Sequence, residues 1–220
     1  MKGILGLLKP RARHGAAGPA GTPPQAAEAA PPSTLFATAF AGQGVDSTML
    51  VPWEARAVEV GARRLPARQG GRQLQALWAQ DRYMALLGPQ AIERMERFFD
   101  FAALPAHRDV VRQDEYGNFM VVLLSGTIAV DRAQPWGEQL RLAEARPGDI
   151  LGEMSLLDGG SRFSACTTLT DCQVAVLGAE ALDAMMAEDP QLAAGLVALL
   201  ARKLSLRLRL VSARLSEGPK

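Results

Sequence analysis

A switch in hydrophobic period near Phe101 limits the folds open to this chain more than any other feature. Before it, Leu74, Leu77, Trp78 and Met84 or Leu86 recur at three- and four-residue spacing, which predicts an amphipathic helix ending at Leu87-Gly88. Pro89 suits the first turn of a second helix, whose apolar face is Ile92, Met95, Phe98 and Phe99. After Phe101 come short β-rich runs: Val110-Val111, Phe119 to Leu124, Thr127 to Val130, Leu140 to Leu142, Cys166 to Leu169 and Gln173 to Leu177. Turn residues punctuate them at Asp114 to Asn118, Ser125-Gly126, Pro135 to Gly137 and Pro147 to Asp149. Short strands so spaced predict a small antiparallel barrel or roll. Helical spacing returns at Glu180 to Met186, and Asp189-Pro190 starts a long helix to about Leu215. The fold class is therefore α+β.

The long helix carries two apolar stripes, Leu192, Leu196, Leu199, Leu206 and Leu210, and Val197, Leu200, Leu204, Leu208, Val211 and Leu215. Packing on one domain needs a single face, so the second stripe points to a homodimer through this helix. At the other end, Pro10 to Ser33 hold six Pro, three Gly and eight Ala, too little apolar surface to offset ordering. The whole of residues 1–71 is read as a disordered Ala/Pro/Gly-rich arm and linker, with one or two short docking segments among Leu35, Phe36, Phe40, Met49, Leu50, Val51 and Trp53, and residues 72–220 as the folded domain.

Charge and composition remove several functions. The 24 basic and 23 acidic side chains balance to +1, which gives no general attraction to nucleic acid or anionic membrane. The longest uncharged apolar run, Phe119 to Val130, is far shorter than the roughly 20 residues of a membrane helix. Met1 to Leu8 imitates a signal peptide but is too short, and Lys9, Arg11 and Arg13 follow it. Cys166 and Cys172 are the only cysteines, so no disulfide framework or four-thiolate metal site can form, and a reducing, cytoplasmic setting is expected. With only His14 and His107, no acid, base and nucleophile can be assembled, so an enzyme is not expected and no cofactor or metal is called for.

The chemistry concentrates in Gly152 to Cys166, GEMSLLDGGSRFSAC. Gly152 permits close backbone approach, Glu153 opens a one-turn helix, and Gly159-Gly160 loops the chain back to Arg162. Free N-terminal amides beside a guanidinium suit a phosphate, and a carboxylate next to them suits a hydroxyl donor such as ribose.

This run resembles the phosphate-binding cassette of the cyclic-nucleotide-binding domains found in catabolite activator proteins and the regulatory subunits of cAMP-dependent kinase. Gly152-Glu153 followed nine residues later by Arg162 matches its pattern, as do Gly126 and the Pro147-Gly148-Asp149 turn. The resemblance runs from about Gln73 to Leu215 and implies an antiparallel β-roll, a double-stranded β-helix of jelly-roll type, with N-terminal helices and a long C-terminal helix. It implies that Glu153 takes the ribose 2′-hydroxyl, Arg162 the cyclic phosphate, and the Met154 and Ser155 amides further phosphate contacts, with Ser164 adding a hydroxyl. Phe163 departs from the small residue usual after the arginine, and His107 and Asp114 replace two turn glycines, being types that tolerate left-handed backbone better than most. The resemblance implies cAMP as the first ligand; Arg207 falls where relatives close over the base, and since a guanidinium can stack on a purine or meet a guanine edge, cGMP and cyclic di-GMP are the next. The chain stops at Lys220 without a helix-turn-helix, so output to a protein effector is expected rather than nucleic-acid binding. The alternative is a degenerate roll that binds no ligand and serves as an interaction scaffold.

Overall fold

The computed structural model describes residues 34–216. In chain order these form α1 (Ala39–Gly42), a 3-10 turn (Ser47–Met49), α2 (Trp53–Val60), β1 (Arg63–Arg64), α3 (Ala67–Gln80), a 3-10 turn (Met84–Leu87) and α4 (Pro89–Met95), extended by a further 3-10 turn (Glu96–Phe98). The roll follows as β2 (Asp100–Leu104), β3 (Asp109–Val111), β4 (Phe119–Ser125), β5 (Ile128–Ala133), β6 (Gln139–Ala145), β7 (Ile150–Leu151), α5 (Glu153–Asp158), β8 (Ala165–Thr168) and β9 (Cys172–Gly178). Two helices, α6 (Ala179–Glu188) and α7 (Pro190–Ser216), complete it.

Two antiparallel sheets face each other, one ordered β1-β2-β9-β4-β7 and the other β3-β8-β5-β6. The β4 sequence shows why the molecule has two apolar cores. Phe119, Val121 and Leu123 point between the sheets, where they meet Val110, Ile128, Cys166, Val174 and Val176. Met120, Val122 and Leu124 point the other way, into a layer built from α3, α4, α6 and α7 with Trp78, Ile92, Leu182 and Leu196. A strand covered on both faces needs an unbroken apolar run, and this is what Phe119 to Leu124 supplies. His107 and Asp114 adopt φ of 59° and 64°, the left-handed backbone expected of them.

Three expectations need correction. The single helix ending at Leu87 is two elements: α3 begins at Ala67 and stops at Asp81, whose carboxylate accepts from the Tyr83 and Met84 amides (2.8 and 2.9 Å) and turns the chain. The linker expected over Thr34 to Gly71 is ordered structure. Phe40, Trp53 and Val60 are buried, and the Asp183 carboxylate on α6 accepts from the Phe36 and Ala37 amides at 3.0 and 2.8 Å. Long-range contacts, invisible to local composition, hold this segment; the disorder expected over Pro10 to Ser33 lies outside the described residues. The two stripes of α7 also merge at its start, since Leu192, Leu196, Leu199 and Leu200 all bury against the chain's own core, and among the leucines of α7 whose burial is described only Leu206 and Leu208 are exposed.

Candidate functional site

The β7 strand delivers the chain to Gly152, which caps α5 with φ 76°. A Cβ there would lie 2.4 Å from Arg162 Nη1, so the position requires glycine both for its backbone and for the room it leaves. The first turn of α5 presents the Met154 and Ser155 amides without backbone partners inside the helix, while the Glu153 amide donates to its own carboxylate. Ser155 is buried beneath it, whereas Met154 is exposed.

Arg162 returns to the start of this helix. Its guanidinium is only 3% exposed, and donates from Nη1 to the Gly152 carbonyl (2.7 Å) and from Nη2 to the Phe119 carbonyl (2.6 Å). It also rests over the Phe119 ring, 4.6 Å from the centroid. Its backbone is strapped to the loop before β4, with Arg162 N donating to Glu115 O (2.7 Å) and Asp114 N donating to Arg162 O (2.8 Å). Burial pushes the guanidinium pKa down to about 10, with Arg56 nearby acting in the same direction, so it remains a cation at neutral pH. Among the described residues no carboxylate forms an ion pair with it. A buried cation held only by neutral carbonyls is an electrostatic site for an anion.

Glu153 is buried at 6% exposure, and its Oε1 accepts from Arg207 Nη1 at 2.5 Å. Burial raises its carboxyl above the ordinary range, opposed by the charges of Arg207 and Arg162. Gly152, Glu153, Arg162 and Arg207 are thus brought together, although Arg207 meets the cassette carboxylate itself. Phe163 is directed outward, half-exposed, beneath the guanidinium of Arg132 at 4.1 Å. Ser164 is half-buried, with its hydroxyl beside the Cys166 thiol, which burial pushes up to about 12; that thiol is an inert core group.

Three contributors escaped the sequence reading. Gly117 lies against Arg162, where a Cβ would come 2.7 Å from Nη2. Phe119 supplies both a carbonyl and a ring to the guanidinium, and Glu115 accepts from its backbone. The turn signal at Asp114 to Asn118 was visible, but its proximity to a residue more than 40 positions later was not. Among the described residues there is no cluster of His, Cys, Asp and Glu able to hold a metal, and no helix long and apolar enough to cross a membrane.

Comparison with known proteins agrees with this geometry. The cyclic nucleotide-binding domain family model matches residues 102–189. The CRP-like cAMP-activated global transcriptional regulator of Mycobacterium tuberculosis is 29% identical over 116 residues, covering 53% of this chain and 52% of that protein. The cyclic AMP receptor protein of Thermus thermophilus is 31% identical over 118 residues, covering 54% and 55%. The chain therefore matches about half the length of these relatives. A cyclic nucleotide-binding domain from Methylobacillus flagellatus has the same fold, with TM-score 0.65 and 21% identity over 72% of this chain and 90% of that one. The segment that resembles the cyclic nucleotide-binding domain family, residues 102–189, is the roll with its cassette.

Proposed function

We propose that the protein is a cyclic-nucleotide-sensing regulator, with cAMP the first candidate ligand and cGMP and cyclic di-GMP the next, and that it signals to a protein partner as a homodimer through α7. The observation that carries this reading is Arg162, a buried guanidinium that no carboxylate contacts directly among the described residues, set beside the first turn of α5 and the buried Glu153 carboxylate. A cyclic phosphate would supply the missing anion, and a ribose hydroxyl would donate to Glu153. Gly152 gives the phosphate access to the backbone, the Met154 and Ser155 amides donate to it, and Ser164 adds a hydroxyl at the rim. Both relatives named above carry cAMP in their names, which supports the order of candidates. The part assigned to the protein is binding and response, not catalysis.

One observation favours a second reading, a roll that binds no ligand and acts as a scaffold: Arg207 already occupies the acceptor that a ribose would use. Titration with fluorescently labelled cAMP separates the two. The sensor reading expects saturable binding that Arg162→Ala weakens at least about tenfold, the worth of one charge-assisted hydrogen bond. Absence of binding by cAMP, cGMP and cyclic di-GMP would leave the scaffold.

A further inference from the structure

The segment from Thr34 to Val60 lies outside the family match, yet it reaches the phosphate cassette from behind along two short routes. On the first, the Trp53 ring, 7% exposed, meets Phe119 edge-on with centroids 5.6 Å apart, and Phe119 carries the Arg162 guanidinium on its ring and carbonyl. On the second, Arg56 is 1% exposed and pairs with Glu59 at 2.5 Å and with Glu115, whose carbonyl accepts from Arg162 N. Between these routes the start of the segment is tied to the same loop, with Val51 N donating to Tyr116 O at 2.8 Å and Leu50 bridging Tyr116. The loop from Asp114 to Phe119 is thus held by α2 on one side and holds Arg162 on the other.

Arg56 is an expensive way to anchor a loop. Its Nε is buried without a hydrogen-bond partner, and its charge lies close enough to Arg162 to oppose that residue's own. That guanidinium nevertheless pairs with Glu115, so it is placed to hold the loop and not only to fill space.

We propose that Trp53 and Arg56 are positioning residues of the phosphate site: by fixing the 114–119 loop they set where the Arg162 guanidinium is aimed. The inference rests on the nucleotide-binding reading. A phosphate drawing on Arg162 must share or replace the bonds to Phe119 O and Gly152 O, so a loosened loop changes how closely the guanidinium meets one particular phosphate oxygen.

The test uses the full chain with cAMP and its two diastereomeric phosphorothioates, in which one or the other exocyclic oxygen is replaced by sulfur. A well-aimed guanidinium distinguishes the two diastereomers. Arg56→Gln and Trp53→Leu are expected to shrink the ratio of their affinities roughly fivefold or more, within the usual span of coupling between sites. The conservative Arg56→Lys and Trp53→Phe, chosen to remain folded, should restore part of it. A structural role alone would lower thermal stability, or weaken both diastereomers equally, and an unchanged ratio in all four variants overturns the inference while leaving the sensor reading intact. A wild-type chain that binds none of these three nucleotides, nor cGMP or cyclic di-GMP, overturns both.

Discussion

Burial raises the Glu153 carboxyl above the ordinary 4.5, and the charges of Arg207 and Arg162 offset only part of that cost. An acid whose folded pKa is raised weakens the fold above the window between 4.5 and the raised value, and the penalty disappears as the pH falls below it. Glu153→Gln should therefore melt at the same or a higher temperature than wild type at pH 7, an advantage that shrinks on acidification towards pH 4.5, while its affinity for cAMP falls. Thermal melts at several pH values, with titrations alongside, check both halves; a variant less stable at pH 7 contradicts the first. Gly117 offers a second residue-scale test. A methyl 2.7 Å from Arg162 Nη2 must push the guanidinium aside, so Gly117→Ala should weaken cAMP binding about tenfold or more for a loss of stability of at most about 1–3 kcal/mol, typical of modest overpacking. A loss of stability with unaltered affinity would show that Arg162 does not need that space.

At the scale of elements, α7 divides by what covers it. Its first turns bury Leu192, Leu196 and Leu200, whereas Leu208 is 67% exposed. If a second copy covers that end, Leu208→Glu should halve the mass seen by light scattering and leave the melting temperature of the dilute protein nearly unchanged, since no contact within one copy is lost. A wild type that is already monomeric rejects the dimer. Elements built on local periodicity, such as β4, β9, α6 and α7, could be read directly from the chain, as could the cassette, whose residues lie within one short run. The elements from Thr34 to Arg64 could not. They are short, carry weak periodicity, and depend on partners such as Asp183 for Phe36 and Glu115 for Arg56, which are distant in sequence. For the same reason Arg207 could be placed near the site by resemblance, but its pairing with Glu153, 54 residues earlier, needed the folded chain.

For the molecule as a whole, the Arg207 to Glu153 pair joins the cassette to the long helix. On the proposed function, a ribose donating to Glu153 would disturb its pairing with Arg207, and occupancy of the cassette would then be linked, reciprocally, to the setting of α7. Hydrogen exchange with saturating cAMP should show added protection over residues 152–165 and an altered rate over residues 202–209. In Arg207→Ala the first change should persist and the second disappear; a helix that responds equally in the variant would place the coupling elsewhere. The strand β4 carries a different consequence. Because its alternate residues belong to the inter-sheet core and to the helical layer, neither core can melt without exposing one face of the same backbone. The roll and the helices packed on it should thus denature as one cooperative unit, with the calorimetric enthalpy of a single transition equal to its van't Hoff enthalpy.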